Sequence, residues 1–194
     1  MQEGVLVVVS GSSGVGKGTI LRKLVKDNEN IKFAISATTR KPRPGEVDGV
    51  DYFFKTEEEF RAMMENDELV EWVNYCGNFY GKSKKYIEEM SKAGYDLVVE
   101  VEVEGAKNVK KVYPDSISVF ILPPSFEDLE RRLRDRGTES EESIQRRLKR
   151  ARDEQKEVQN YDYTVVNDEI DNVIGFIIKI INDKKHSNQT KGGI

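Results

Sequence analysis

The sequence predicts an α/β fold in which a parallel sheet is flanked by helices and interrupted by a small β-rich insertion. Three observations carry that reading. Four short apolar runs, at residues 5–9, 97–101, 118–122 and 163–166, are rich in β-branched residues and barely alternate. Strands buried on both faces of a parallel sheet look like this. Helical patterns fill the dozen or more residues between successive runs, the length that a parallel crossover needs. The first run also passes straight into SGSSGVGKGT, residues 10–19, a glycine-rich turn that opens a helix.

The elements follow in order. After the run at 5–9, the pattern at 17–26 sets Ile20, Leu21, Leu24 and Val25 on one helical face. Residues 33–79 break the rhythm with TTRKPRPGEVDGVDYFF, a short helix opened by Thr56 with Glu59 completing its capping box, and LVEWVNYCGNFYG. Short strands joined by Gly/Pro turns suit a β insertion beside the main sheet. A helix at 83–93 precedes the second run and another at 105–112 follows it. Ser125, with Asp128 three residues on, opens a helix to 136, and further helices cover 141–159 and 171–183. From Lys185 the chain is polar and expected to be disordered.

Bulk composition narrows the function. The 194 residues allow one well-buried core, and 37% apolar with 34% charged side chains describe a globular chain with a highly charged surface. A net charge of −4, from 31 basic and 35 acidic residues, argues against a nucleic-acid partner. One cysteine, Cys76, leaves no internal disulfide and suits a reducing cytosol. The lone histidine, His186, lies in the polar tail, which excludes His-built metal sites and Ser-His triads. No apolar run approaches the ~20 residues of a membrane span, and the N-terminus is too short for a signal peptide. The expectation is a cytoplasmic protein with no membrane association and no obligate protein partner.

Residues 11–19 match the spacing Gly-x-x-x-x-Gly-Lys of a phosphate-binding loop: Gly11, Ser12, Ser13, Gly14, Val15, Gly16, Lys17, Gly18 and Thr19. Such a loop aims backbone N–H groups at an anion, and the helix that follows adds its positive end. Lys17 would reach the outer phosphates of a nucleoside triphosphate. Where a Mg²⁺-binding hydroxyl usually follows the lysine, this chain has Gly18. The metal is then expected on phosphate oxygens and waters, with no protein side chain assigned to it. GKGT resembles the variant found in nucleoside monophosphate kinases. A second anion site is suggested by Arg40 and Arg43 in a segment stiffened by Pro42 and Pro44, with Tyr52 and Tyr80 in the same insertion. An isolated RKPR would be read as a solvated basic turn.

The stretches SGSSGVGKGT, TTRKPRPGEVDGVDYFF, EWVNYCGNFYG, EVEGA, FILPPS, RGTESEESIQRRL and VVND resemble guanylate kinase in sequence and order, over residues 4–183. The resemblance implies a P-loop core with a nucleotide-monophosphate insertion and a helical lid. It implies Mg²⁺-dependent phosphoryl transfer from ATP to GMP or dGMP, giving ADP and GDP in purine metabolism. It divides residues 1–184 into a core (1–35, 84–125 and 157–184), a GMP-binding insertion (36–83) and a lid (126–156), with 185–194 as the tail. Arg40, Arg43, Tyr52 and Tyr80 match residues that hold the GMP phosphate, and Glu46 matches a support of that loop. Glu71 matches the carboxylate that reads guanine. Guanine offers N1–H and N2–H₂ side by side, whereas adenine would meet the carboxylate with a lone pair. Ser36 matches a hydroxyl near the base, and Asn167 of VVND is taken with the ATP side.

Two positions depart from the family pattern. Lys82 stands where a Ser or Thr is usual, so Lys82 donates to guanine O6, Ser83 substitutes, or the contact is absent. Glu100 and Glu102 stand where two aspartates are usual, near the guanine amine and the hydrated magnesium. Eight arginines lie between Arg131 and Arg152. Interspersed acids and the lack of interleaved aromatics disfavour nucleic acid. The resemblance makes this the lid, with Arg136 and Arg147 on the ATP phosphates and Lys17, Arg43, Arg136 and Arg147 as the catalytic set. Two other readings stand beside it: a non-catalytic guanylate-kinase-like protein-binding module, and a related P-loop kinase for another small phosphate ester.

Overall fold

The computed structural model describes residues 3–135 and 140–191. In chain order its elements are β1 (Leu6–Gly11), α1 (Lys17–Asp27), β2 (Ile31–Phe33), β3 (Ser36–Thr38), β4 (Phe53–Phe54), α2 (Glu57–Glu65), β5 (Leu69–Tyr75), β6 (Asn78–Ser83) and α3 (Lys84–Lys92). Then follow β7 (Asp96–Glu100), α4 (Val103–Val112), β8 (Ile117–Leu122), α5 (Phe126–Asp135), α6 (Glu141–Gln155), β9 (Tyr163–Val166) and α7 (Ile170–Lys191).

The main sheet has the order β2-β7-β1-β8-β9, and every pairing in it is parallel. The chain leaves β1 for β2 on one side and later crosses from β7 to β8 on the other. The C-terminal end of β1 is therefore the switch point where α/β sheets open a crevice. Burial on both faces explains the missing alternation in the central strands. Val7 and Val9 pack with Ile20, Leu21, Leu24 and Ile177 on one face. Val8, Leu97 and Val99 pack with Ile87 and Val109 on the other.

Four expectations are corrected. The run at 163–166 is a strand, but it closes an edge, and Tyr163 and Val166 are exposed rather than buried. β2 is an edge strand of the main sheet that sequence patterning missed; three residues are too few to show periodicity, and its pairing with β7 defines it. α6 ends at Gln155, and a separate 3₁₀ turn, Val158–Asn160, follows. The tail beyond Lys185 is helical as far as Lys191, not disordered. Lys185 Nζ donates to the buried Asp96 at 2.7 Å, and Asp96 also accepts from Val5 N–H at 2.9 Å. This ion pair docks the helix against the sheet end.

Residues 36–83 form a second, four-stranded sheet, β4-β3-β6-β5, over a small core of Ala37, Phe60 and Leu69. α2 closes one side and starts on a full capping box between Thr56 and Glu59. α5 and α6 form a helix pair with its own apolar seam, Leu129, Leu133, Ile144, Leu148 and Ala151. Arg136 lies outside the described residues.

Candidate active site

The glycine loop occupies the switch point. Gly14 and Gly16 have φ of 94° and 96°, in the left-handed region that favours glycine. A Cβ on Gly14 would also stand 2.8 Å from Leu133 Cδ2, so α5 packs directly on the loop. Gly16 is the N-cap of α1. Lys17 is buried, and its Nζ donates to Gly11 O at 2.7 Å. Asn167, buried at the end of β9, donates from Nδ2 to Val15 O at 2.8 Å, which ties the VVND segment to the loop. Ser13 N–H donates to Glu154 of α6 at 3.0 Å.

A cleft of about 290 Å³ brings Gly14, Gly16, Lys17, Gly18 and Thr19 together with Arg22, Glu100, Glu102 and Arg147. Arg147 therefore projects from the helix pair into the crevice that the loop lines. Sequence reasoning missed Arg22, although it lies one turn beyond Gly18 on the same face of α1. It also missed Glu154, Arg132 and Arg150. Arg132 donates to Val15 O and Asn167 O at 3.4 and 3.2 Å. Arg150 bridges Glu154 and Glu102, at 2.8 Å to each. Charged residues on an amphipathic helix give no sign in sequence of which ones turn inward.

The insertion builds a second basic site. Arg40 grips Glu46 through a two-pronged fork, 2.9 and 2.8 Å, and Glu46 also accepts from Arg43 N–H at 2.7 Å. One carboxylate thus fixes both ends of the RKPRPGE turn. The fork is the main cause of Arg40's raised pKa and of Glu46's lowered one. The Arg40 guanidinium lies 5.3 Å from the Tyr52 ring centre, and Tyr52 meets Tyr80 edge-on at 6.1 Å. Arg40, Tyr52 and Tyr80 are thereby one cluster, and Arg43 stands exposed beside it.

Deeper in the insertion, strand register sets Ser36 opposite Lys82 and Lys82 opposite Glu71. Lys82 Nζ donates to Ala34 O at 2.9 Å. Glu71 presses against the first turn of α4, where a Cβ on Gly105 would lie 2.3 Å from Glu71 Oε2. Burial raises the Glu71 pKa, and the nearby Lys82 pulls it back down. Burial lowers the Lys82 pKa, opposed by Glu71 and Glu100. The Ser83 hydroxyl caps α3 by accepting from Tyr86 N–H, which leaves its own O–H to donate.

A phosphate loop at the switch point, faced by an arginine-bearing helix pair and a separate basic insertion, defines a P-loop phosphotransferase. A family model described as guanylate kinase matches residues 3–184. A guanylate kinase from Desulfitobacterium hafniense (strain Y51) is 48% identical over 167 residues, 86% of this chain and 84% of that one. One from Caldanaerobacter subterraneus subsp. tengcongensis is 46% identical over 180 residues, 93% of this chain and 87% of that one. The crystal structure of guanylate kinase from Anaplasma phagocytophilum superposes with a TM-score of 0.70 at 32% identity, covering 95% of this chain and 88% of that one. The chain belongs to the guanylate kinase family and is a nucleoside monophosphate kinase. No helix among the described residues is long and apolar enough to cross a membrane.

Proposed function

We propose that this guanylate kinase binds ATP on the loop cleft and GMP in the insertion, and moves the terminal phosphoryl group between them. Gly11 to Thr19 hold the ATP phosphates, with Lys17 on the outer ones and Asn167 bracing the loop. Arg40, Arg43, Tyr52 and Tyr80 hold the GMP phosphate, with Glu46 as their brace. Glu71 and Ser36 face the base. Arg147 reaches the ATP phosphates from the lid, and Arg136 is assigned with it. The observation that carries this division is the pair of separate basic sites, one made of loop amides and Lys17, the other ordered by the Arg40–Glu46 fork.

The chemistry needs charge and alignment more than proton transfer. The acceptor phosphate has a second pKa of ~6 and is largely ionised at neutral pH, so no general base is required. His186, the one histidine, lies on α7 and bonds within that helix. Loop amides, Lys17 and the arginines offset the repulsion between two polyanions and hold them for in-line transfer.

The oxygen donors of the cleft, Glu100, Glu102 and Thr19, fit a hydrated Mg²⁺ on the ATP phosphates. Bound there, the ion would supply charge neutralisation on the triphosphate. dGMP keeps both the phosphate and the base and belongs to the same acceptor class. A coupled ADP-release assay with ATP, Mg²⁺ and GMP, AMP, CMP or UMP tests the proposal. Turnover with GMP alone supports it; turnover with another monophosphate overturns the assignment of the base site.

A further inference from the structure

Glu154 is a buried carboxylate to which the transfer chemistry gives no task. It stands in the last turn of α6 and is only 7% exposed. Two costs attach to that position: burial strips a carboxylate of its hydration, and the negative end of a helix disfavours it. Two hydrogen bonds offset them. Oε2 accepts from Ser13 N–H of the phosphate loop at 3.0 Å, and Oε1 accepts from Arg150 Nε at 2.8 Å. The neighbouring loop amides are held by backbone, Ser12 N–H donating to Ile121 O and Val15 N–H to Ser12 O. Ser13 is thus where the side chain of Glu154 takes hold of the loop directly.

Helical spacing carries that hold into the cleft. Arg147, Arg150 and Glu154 lie at i, i+3 and i+7 on one face of α6, and Arg147 lines the cleft with Lys17, Gly18 and Glu102. Arg150 also reaches Glu102 at 2.8 Å, but the two side chains of that pair are 55% and 56% exposed. An ion pair so open to water contributes little. The Glu154–Ser13 bond is held by a buried carboxylate, and cutting it orphans a backbone N–H. It is the stronger of the two ties. We propose that Glu154 is a positioning residue: by pinning the base of α6 to Ser13, it sets Arg147, two turns away, over the phosphates on the loop. Glu154 touches neither nucleotide and acts through Arg147. This rests on the reading that Arg147 meets the ATP phosphates.

The test is a double-mutant cycle in kcat, at saturating ATP, Mg²⁺ and GMP, on E154A, R147A and the pair. R147A is expected to lose about 10²- to 10³-fold, the cost of removing one preorganised donor from the transferring group. E154A should lose about 10- to 100-fold, the effect of a ~1 Å misplacement, with KM for GMP unchanged. The two losses should not multiply: in the R147A background E154A should cost about twofold or less. E154Q should keep most of the rate, because its amide oxygen still accepts from Ser13 N–H. A purely structural loss would not depend on Arg147, so losses that multiply in the pair would overturn the proposal, as would full turnover in E154A. Full turnover in R147A would instead overturn the reading of Arg147, and the proposal with it. Should E154A fail to fold, E154D carries the cycle, since it keeps the charge but draws it back from Ser13 by one methylene. A loss seen only where Arg147 is present supports the proposal, and equal losses in both backgrounds overturn it.

Discussion

The two ends of the active site are built on opposite plans. The loop end is backbone held by the rest of the core. Its glycines take left-handed conformations, and its polar groups are tied by Gly11 O, Asn167 and Glu154. The insertion end is made of side chains on a four-stranded sheet with three buried apolar residues beneath it. There Glu46 orders the arginines, while Glu71 and Lys82 stay unpaired with each other. The difference teaches that a triphosphate can be recognised by backbone shape, whereas a base must be recognised by particular side chains in a particular register.

The largest test of that contrast is Lys17→Ala. Transfer should fall by on the order of 10³-fold or more, because a positioned charge on the transferring group is lost. GMP binding, measured by calorimetry, should be largely kept. Glu46→Ala works on the other end. It removes the fork from Arg40 and the acceptor for Arg43 N–H, so KM for GMP should rise by about 10- to 100-fold while KM for ATP holds.

Gly105→Ala is subtler. The new Cβ would meet the far end of the Glu71 side chain at 2.3 Å and Val101 Cβ at 3.0 Å, so the carboxylate must move and the Val101 contact gives by a few tenths of an ångström. GMP should lose about tenfold in kcat/KM with little change in melting temperature. An unchanged GMP response would remove Glu71 from the base site.

The smallest effect is in the helix pair. Arg134 forks onto Glu141 and pushes its pKa down to about 2. A depressed carboxylate stabilises above its unfolded value of ~4.3, and that contribution is lost as pH falls through the folded value. Protection factors in α5 and α6, corrected for intrinsic exchange, should therefore fall between pH about 4 and 2. E141Q should flatten that dependence. Both groups are exposed, so the change is small.

Sequence disclosed the two ends unequally. The loop was readable because its glycines are demanded by backbone geometry and sit at a fixed spacing within nine residues. The Arg40–Arg43 turn was readable because proline fixes its shape. The row Ser36–Lys82–Glu71 was not, since it depends on how β5 pairs with β6 past an irregularity between Leu69 and Glu71. Glu154 and Arg150 were hidden for another reason. Helical spacing places such residues on a face, but only the docking of α6 on the loop turns that face inward. β2 was too short to announce itself, and the end of α7 is ordered by an ion pair between residues 89 positions apart.

The most direct test of the division is a pair of calorimetric titrations, GMP and a non-hydrolysable ATP analogue, on Lys17→Ala and Glu46→Ala. The structure predicts a crossed result: Lys17→Ala weakens the ATP analogue and keeps GMP, and Glu46→Ala does the reverse. Loss of both ligands in a folded single variant, or of the wrong one, would contradict the assignment of the two sites.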